Sequence, residues 1–336
     1  MMRAPDAWSR KGAVSTMLLP ASWLYGLGTA LRVGRAPRYT PPVPALCIGN
    51  LTAGGAGKTP VVLSLARLMR DRGRWPFAVS RGYGGRLAGP VRVDPALHTA
   101  REVGDEPLLL AGALPTVVAR DRAAGARAAV DAGADILLLD DGHQNPAVAK
   151  ALSLVVVDGG FGFGNGRIIP SGPLREPVGR GLARADAAVI VGADNTGAAH
   201  RCRREAGGLP LLEARFVPAE EAMALHGRRV VAFAGIGRPD KFFDTVKEIG
   251  ADLAEAMAYP DHYPFPETEI MFICELAQER GAIPVCTEKD YMRLPPDARL
   301  MVTPVPVALE WRDPDALDRL LAPVLEGGSG REQQGS

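Results

Sequence analysis

The residue types best suited to chemistry are concentrated in residues 49–59, where glycines precede a lysine and a threonine. An apolar run at residues 43–48 precedes this segment and an apolar-periodic run at residues 60–72 follows it, which predicts a strand, a loop and a helix. Backbone N–H groups in such a loop, together with the positive end of the helix, bind phosphate groups. We expect ATP to be bound here, by Thr52, Gly54, Gly55, Ala56, Gly57, Lys58 and Thr59.

The last residues of this loop also indicate how the negative charge of a bound phosphate is neutralised. Lys58 can reach the β- and γ-phosphates of a bound nucleotide, and the Thr59 hydroxyl can ligate Mg²⁺. One departure is that the strict phosphate-loop pattern places glycine where this chain has Thr52. A glycine-rich turn without a ligand is the alternative, but the strand, the glycines, the lysine and the helix together favour nucleotide binding.

A second acidic signal follows the apolar run at residues 136–139, where Asp140 and Asp141 stand in sequence. A continuous apolar run is typical of a buried parallel strand. Carboxylates at the end of such a strand fit the role of holding Mg²⁺, directly or through water. We therefore predict a metal site made by Thr59, Asp140 and Asp141.

Two further segments could contact a substrate. Arg81 and Tyr83 follow the strand predicted at residues 75–80, at the position where open α/β sheets bind ligands. Arg175 and Glu176 end a long segment rich in glycine and proline, and loops of that length in a compact domain are usually functional. The alternatives are a plain surface turn for the first pair and a surface ion pair of little energetic value for the second.

Two isolated candidates remain open on spacing alone. Asp105 lies in the first turn of a predicted helix, where helix-dipole stabilisation worth about 0.3–1 kcal/mol is the favoured explanation. His262 lies in a proline-rich loop after Asp261, and structural and catalytic roles are equally compatible with that position.

Composition argues against several classes of protein. The net charge is +1 and aromatic residues make up 6% of the chain, so neither a basic field nor a stacking surface for nucleic acid is predicted. None of the four cysteines forms a C-x-x-C pair, so no zinc site or disulfide framework is expected, which fits a reducing cytoplasm. No obligate protein partner is evident.

The order of the segments predicts an α/β protein of the P-loop NTPase type. We expect a mostly parallel sheet, a second and smaller α/β domain, and an apolar helix at the N-terminus. The predicted boundaries are an N-terminal helical segment (1–40), a nucleotide-binding kinase domain (41–210), a smaller C-terminal domain (211–326) and a disordered tail (327–336).

The N-terminal segment is apolar between residues 17 and 33 and has basic residues on both sides. It is too short, and too interrupted by proline and glycine, for a comfortable membrane span of about 20 residues. An interfacial helix attracted to anionic lipid and an ordinary helix packed on the core remain equal alternatives. A signal peptide is disfavoured, because no clear cleavage site follows and a nucleotide-binding loop argues against export.

Taken in order, these motifs resemble those of the tetraacyldisaccharide 4'-kinase family of lipid A biosynthesis. The resemblance covers about residues 46–294, and Thr52 is also what the family has at that position. The matching segments are Gly-Asn-Leu-Thr-Ala-Gly-Gly-Ala-Gly-Lys-Thr-Pro (49–60), Ser-Arg-Gly-Tyr-Gly (80–84), Gly-Asp-Glu-Pro (104–107), Asp-Asp-Gly (140–142), Gly-Asn-Gly-Arg (164–167), Pro-Ser-Gly-Pro-Leu-Arg-Glu (170–176), Pro-Asp-His (260–262) and Thr-Glu-Lys-Asp (287–290).

The resemblance implies a peripheral enzyme on the cytoplasmic face of the inner membrane. Its reaction would move the γ-phosphate of ATP to the 4'-hydroxyl of an acylated glucosamine disaccharide 1-phosphate. The resemblance also implies that Asp105 and His262 form a catalytic dyad. The family usually reads Asp-Asp-Gly-Phe-Gln-His, whereas this chain has His143 in place of the phenylalanine and Asn145 in place of the last histidine. Partial replacement of that last histidine by His143 is one expectation from this difference.

The mechanism expected from these residues is phosphoryl transfer. Asp105 takes the proton of the sugar hydroxyl and His262 orients or assists it, with Lys58 as the third catalytic group. Arg81, Tyr83, Arg175 and Glu176 position the substrate, and closure of the two domains assembles the base.

Two rival functions remain at this point. One is a membrane-recruited P-loop ATPase switch acting on a protein partner. Such switches commonly have a further lysine early in the loop, where this chain has Ala53. The other is a kinase for a soluble metabolite, which the apolar N-terminus disfavours.

Overall fold

The computed structural model describes Trp8 and residues 10–326 of the chain, so the predicted tail at 327–336 lies outside the described residues, as do residues 1–7 and 9 of the N-terminal segment. Strands and helices alternate along the chain, as the sequence predicts. The strands are β1 (Ala45–Gly49), β2 (Pro76–Ser80), β3 (Val91–Arg92), β4 (Thr116–Val118), β5 (Ile136–Asp140), β6 (Leu152–Asp158), β7 (Ala187–Val191), β8 (Leu211–Pro218), β9 (Arg229–Ala234), β10 (Asp252–Ala258), β11 (Ile283–Thr287), β12 (Thr303–Val305) and β13 (Val307–Trp311).

The α-helices lie mostly in the connections between these strands. They are α1 (Ala13–Met17), α2 (Leu19–Val33), α3 (Lys58–Asp71), α4 (Ala100–Val103), α5 (Asp105–Ala111), α6 (Arg122–Asp131), α7 (Val178–Leu182), α8 (Ala198–Glu205), α9 (Pro239–Glu248), α10 (Glu267–Glu279), α11 (Glu288–Tyr291), α12 (Pro296–Arg299) and α13 (Pro314–Glu326).

The larger sheet has nine strands in the order β13-β8-β7-β6-β1-β5-β2-β4-β3. Its centre is parallel, and only the edge strands β3 and β13 pair antiparallel. Every residue of β1, β2, β5, β6 and β7 is buried, because helices and loops cover both faces, and this explains the continuous apolar runs in the sequence. The order places the carboxyl ends of β1, β5 and β2 side by side, so the segments that follow them meet at one edge.

Helix α3 is held on this sheet by one apolar stripe. Val61, Leu65 and Met69 repeat at four-residue spacing and are fully buried in the core that the sheet forms with the helix. The phosphate loop that precedes α3 is therefore fixed at both ends, by β1 and by the packed helix.

The smaller sheet is parallel throughout, in the order β10-β9-β11-β12. Two apolar clusters pack against it and make a separate core. One cluster contains Phe242 and Val246, and the other contains Phe233 and Phe265. We call residues 219–306, which lie between β8 and β13, the small-sheet region.

The predicted boundary at residue 210 is not the point where the two sheets separate. Strand β8 pairs parallel with β7, and the chain returns to the large sheet through β13, which pairs with β8. Helix α13 then packs Leu317 and Leu321 into the core of the large sheet. The division of the chain into domains stays a prediction.

Helix α2 presents its polar side to the protein. Ser22 is buried and donates a hydrogen bond to the carbonyl of Ile168 (2.8 Å), and Thr29 is also buried. In contrast, its large apolar side chains are exposed, at Trp23, Leu24, Leu27 and Leu31. Among the residues that the structure describes, no helix is both long enough and apolar enough to cross a membrane. The first two helices therefore leave an apolar surface without a covering element in the described chain.

Candidate active site

The conformation of the phosphate loop is set by its glycines and by backbone hydrogen bonds with residues 173–175. Ala53 N donates to the carbonyl of Pro173 (2.7 Å), and Arg175 N donates to the carbonyl of Leu51 (2.8 Å). Inside the loop, Asn50 Nδ2 donates to the carbonyl of Gly54 (3.3 Å). A side chain at Gly54 or Gly55 would enter open space, so there is room beside the loop for phosphate groups.

Gly57 is the turn that starts the helix. Its φ of 85° lies in the left-handed region, and a Cβ there would stand 3.1 Å from Cζ of Phe216. Glycine is therefore required for both conformation and space. Helix α3 begins directly afterwards at Lys58, as the sequence predicts, and its positive end points into the loop.

Asp141 is surrounded by cations. Arg175 Nη1 contacts both carboxylate oxygens (2.8 and 3.0 Å), and Lys58 Nζ lies 3.5 Å from Oδ1. Burial would raise the pKa of Asp141, but the charges of Lys58 and Arg175 prevail and lower it to about 2. Asp141 also adopts a left-handed φ of 53°, rare for a residue other than glycine, which turns it toward the loop.

Asp140 lies beneath this pair. Its Oδ2 accepts a hydrogen bond from Ser80 Oγ at the end of β2 (3.0 Å), and burial raises its pKa. Its Oδ1 is buried and has no hydrogen-bond partner among the residues that the structure describes. An unpaired buried carboxylate oxygen, a second carboxylate and the Thr59 hydroxyl make an oxygen donor set of the kind that Mg²⁺ prefers. The residues present fit that ion.

A second cluster surrounds the buried carboxylate of Asp105, at the start of α5. His262 Nδ1 lies 3.1 Å from Oδ2, and Arg293 Nε donates to the same oxygen at 2.9 Å. Lys289 Nζ lies 3.8 Å from it and 2.7 Å from Oε1 of Glu106. His262, Lys289 and Arg293 all belong to the small-sheet region, whereas Asp105 belongs to the large-sheet part, so the cluster joins the two.

The charges of this cluster keep Asp105 ionised. Burial would raise the pKa of Asp105, but hydrogen bonds with His262 and Glu106 and the charges of Lys289 and Arg293 lower it well below its ordinary value. Ligand atoms of Asp105, Glu106 and His262 lie within 4.8 Å of one another, a spacing compatible with a metal ion. Lys289 and Arg293 already neutralise these carboxylates, and among the described residues no carboxylate oxygen of this cluster is buried and unpaired as Oδ1 of Asp140 is, which disfavours a further cation here.

The loop after β2 packs against the turn that precedes Asp105. A Cβ on Gly104 would stand 2.6 Å from the carbonyl oxygen of Tyr83, so only glycine permits this approach, and Gly104 has a φ of 92°. The rings of Tyr83 and His262 are 6.4 Å apart between centroids. Arg81, in the same loop, is exposed. Tyr83 thus lies beside the Asp105 cluster, and Arg81 lies two residues before it in the same loop.

Arg175 and Glu176 do not form a pair with each other. Arg175 holds Asp141, whereas the buried carboxylate of Glu176 accepts hydrogen bonds from Arg184 (2.8 Å) and from Gln144 Nε2 (2.9 Å). The side chain of Glu176 therefore supports Gln144 in this structure.

His143 and Asn145 have structural roles here. The ring of His143 is buried, with Nδ1 3.0 Å from Ser153 Oγ and Nε2 2.9 Å from the carbonyl of Gly181. Asn145 Oδ1 accepts a hydrogen bond from Ala147 N and closes a turn (2.9 Å). Because both ring nitrogens are occupied, His143 is not a substitute for a histidine directed at the substrate.

Sequence reasoning missed several residues of the site. Arg122 is buried and donates to the carbonyls of Val79, Asp140 and Asp141, so it fixes the acidic turn from behind. Its place after a strand was a weak signal. Lys289 lies in the segment 287–290 that resembles the family, but nothing in the pattern links it, or Arg293, to Asp105.

The chain matches the family model described as Tetraacyldisaccharide-1-P 4'-kinase over residues 14–326. It is 54% identical over 332 residues to the Tetraacyldisaccharide 4'-kinase of Rhodospirillum centenum, covering 97% of this chain and 98% of that protein. The corresponding protein of Rhodospirillum rubrum is 50% identical over 327 residues, with coverage of 97% and 99%. The crystal structure of "apo" form LpxK from Aquifex aeolicus in complex with ATP is similar, with a TM-score of 0.72 and 26% identity. The match covers 93% of this chain and 100% of the Aquifex aeolicus chain.

Proposed function

Because the chain belongs to the tetraacyldisaccharide-1-P 4'-kinase family, we propose that it transfers the γ-phosphate of ATP to the 4'-hydroxyl of tetraacyldisaccharide 1-phosphate. The observation that carries this proposal is the contact of Asp105 with His262 (3.1 Å) beside the edge of the sheet where the phosphate loop lies. A switch that only hydrolyses ATP has no need of a second buried acid for an acceptor hydroxyl.

In the proposed mechanism, Asp105 accepts the proton of the sugar hydroxyl and His262 fixes the direction of its carboxylate. The low pKa of Asp105 keeps the carboxylate ionised and ready to accept a hydrogen bond. Strong basicity is not required, because phosphoryl transfer depends mainly on positioning and on neutralisation of charge.

The phosphates are held by the loop N–H groups of residues 52–57 and by Lys58, whose amine is mostly buried and directed toward Asp141. Thr59, Asp140 and Asp141 would hold Mg²⁺, which neutralises the charge on the phosphate oxygens when it is bound. Arg175 keeps the acidic turn in place by binding the carboxylate of Asp141. Arg122 does so by donating to backbone carbonyls of the turn.

Substrate positioning is assigned to Arg81 and Tyr83, whose loop borders the Asp105 cluster, and to Arg175. Glu176 acts indirectly, since its carboxylate holds Gln144, whose side chain oxygen lies 3.3 Å from Arg175 Nη1. An acyl-bearing substrate also needs access from a lipid surface. The exposed apolar side of α2 supports peripheral contact with the inner membrane on its cytoplasmic face, where ATP is present.

The test compares this proposal with the ATPase switch. Purified protein is incubated with Mg²⁺ and γ-labelled ATP, either with the tetraacyl disaccharide phosphate in nonionic micelles or with vesicles that lack it. The kinase proposal predicts label in the lipid, as an ester at the 4' position in the ³¹P spectrum, and little free phosphate without the acceptor. Free phosphate released equally in both samples, with none in the lipid, would favour the switch.

A further inference from the structure

A cavity of about 210 Å³ lies at the base of the N-terminal helix. It is formed where the chain leaves α2 and passes the connection between β5 and β6. Its size admits a phosphate group with water around it. We call it the helix-base cavity, and its lining residues are Val33, Arg35, Pro37, His143, Pro146, Val148, Ala149, Lys150 and Arg184.

Three of these lining residues are cations, Arg35, Lys150 and Arg184, and none of the described residues that line the cavity is acidic. Arg184 has a partner outside the cavity, the buried carboxylate of Glu176 (2.8 Å). Within the described part of the chain, neither Arg35 nor Lys150 forms an ion pair with a carboxylate. The cavity therefore carries about two positive charges that the protein itself does not neutralise.

Lys150 is the most constrained of the three. Its Nζ donates to the carbonyls of Gly142 (2.8 Å) and His143 (3.2 Å), which leaves capacity for a further acceptor. Burial, together with the charges of Arg184 and Arg122, lowers the pKa of Lys150. A bound anion would oppose that effect, because it would supply the missing countercharge.

The position of the cavity indicates which anions can reach it. Helix α2 ends at Val33, which lines the cavity, and the exposed side chains of Leu24, Leu27 and Leu31 lie along the same helix. If that apolar side enters a lipid surface, the end of the helix lies near the headgroups. Arginine and lysine at that depth meet phosphate groups, and arginine binds them with paired donors.

The cavity is also connected to the active site. Gly142 and His143, which Lys150 holds through their carbonyls, directly follow Asp141 in the chain. An occupant that binds Lys150 would therefore bind the side chain that holds the segment after the acidic turn.

We propose that the helix-base cavity binds the phosphate group of a lipid headgroup. Two sources supply that chemistry, an anionic phospholipid of the membrane and the 1-phosphate of the acceptor, and the second rests on the proposed function. Arg35 and Lys150 are the main ligands, with Arg184 at the edge.

The first arm uses a soluble probe, dihexanoyl phosphatidylglycerol below its micelle concentration, titrated into the full-length protein by calorimetry. Arg35→Ala is the main variant, because the side chain is exposed and its loss should not disturb folding. Lys150→Gln is the second, checked by its unfolding midpoint. Each should weaken binding roughly tenfold, as expected for one charge-assisted hydrogen bond. The matched control is Arg32→Ala, because Arg32 is an exposed arginine of the last turn of α2 that does not line the cavity, and this variant should keep its affinity within about twofold.

The second arm measures KM for the tetraacyl disaccharide phosphate in nonionic micelles without phospholipid. A KM raised roughly tenfold in Arg35→Ala but not in Arg32→Ala identifies the acceptor phosphate as the occupant. Unchanged KM with weakened binding of the phosphatidylglycerol probe identifies a membrane phospholipid. If neither quantity changes, or if Arg32→Ala loses as much as Arg35→Ala, the proposal is overturned. Absence of transfer in the wild type would instead refute the kinase proposal, and the calorimetric arm would still test the cavity.

Discussion

His262 Nδ1 lies 3.1 Å from Oδ2 of Asp105, and this contact joins the small-sheet region to the large sheet. His262 itself has a left-handed φ of 60°, a conformation that costs energy in a residue other than glycine and is often found at functional sites. A second link, from Asp158 at the end of β6 to Arg238 and Lys241, joins the same two parts. We expect any separation of the two parts to disconnect the dyad, which would limit ATP hydrolysis without acceptor.

Arg293 should matter for both stability and catalysis. Its guanidinium is buried between Asp105 and Asp290, so Arg293→Gln removes the nearest countercharge of two buried carboxylates. We expect a loss of about 3–5 kcal/mol in the free energy of unfolding, measured with urea. The control is Arg319→Gln, because the Arg319 side chain is exposed and lies 4.0 Å from its partner Asp313. A loss below about 1 kcal/mol would contradict a structural ion pair.

The same substitution gives a pH prediction. Because the Arg293 charge helps to lower the pKa of Asp105, its removal raises that pKa. The acid limb of the kcat/KM profile should then move to higher pH in Arg293→Gln. An acid limb in the wild-type position would mean that Asp105 does not determine it.

Lys58→Met should remove most of the transfer activity. Lys58 lies in the first turn of α3 with its Nζ 3.5 Å from Asp141, and no other described lysine follows the phosphate loop so closely. Loss of one preorganised charge at the transferred group typically costs about 10²–10³ in kcat. The measurement is steady-state transfer with saturating acceptor, and Lys247→Met, an exposed lysine paired with Asp244, is the control. Comparable activity of the two variants would remove Lys58 from the mechanism.

His143 should make the protein less stable in mild acid. Burial, with the charges of Arg184 and Lys150, outweighs the hydrogen bond to Gly181 and lowers the pKa of His143 to about 4. An unfolded histidine has a pKa of about 6.5, so the unfolded chain binds more protons between these values. The contribution of neutral His143 to the free energy of unfolding is fully present above pH 6.5. About 3 kcal/mol of it is lost as the pH falls toward 4.

The test is urea unfolding at pH 7.0, 5.5 and 4.5. His143→Gln, which cannot titrate, should show a shallower decline than the wild type, whereas His200→Gln, at an exposed position, should follow the wild type. Parallel curves for His143→Gln and the wild type would show that the histidine is not held neutral.

The exposed side of α2 should govern attachment to lipid. Substitution of Leu24, Leu27 and Leu31 by Gln removes side chains that are 74, 59 and 66% exposed, so folding should change by less than about 0.5 kcal/mol per site. Binding to lipid vesicles in a flotation assay should fall by at least about 100-fold, since each buried leucine contributes about 1.5–3 kcal/mol. The matched control replaces Leu97, Leu300 and Met301, which are also exposed. Equal losses in both triple variants would refute a specific role for the helix.

The sequence was most informative where one local pattern carried the structure. Strand β1, the loop and α3 follow from an apolar run, glycines and a four-residue apolar repeat, and the structure confirms all three elements. The predicted boundary at residue 210 falls just before β8, because an apolar pattern does not identify a strand's neighbours, so the place of β8 in the large sheet was missed.

The Asp105 cluster was much harder to predict from the sequence. Spacing favoured dipole stabilisation for Asp105, and only the family resemblance indicated a partner in His262. Lys289 and Arg293 had no signal, because their contacts form only when the small-sheet region packs on α5. Glu176 faces Arg184 and not Arg175, and no sequence pattern indicated this, because the direction of a side chain depends on its tertiary neighbours.

The most direct test of the account is the rate of label transfer from γ-labelled ATP to the tetraacyl disaccharide phosphate in wild type and Asp105→Asn. Asparagine keeps the size of the side chain but cannot accept the proton, so the account predicts labelled lipid in the wild type and a rate lower by about 10²–10⁴ in the variant. Binding of a nonhydrolysable ATP analogue should remain unchanged in both. A variant that labels the lipid at nearly the wild-type rate would contradict the assignment of Asp105 as the base.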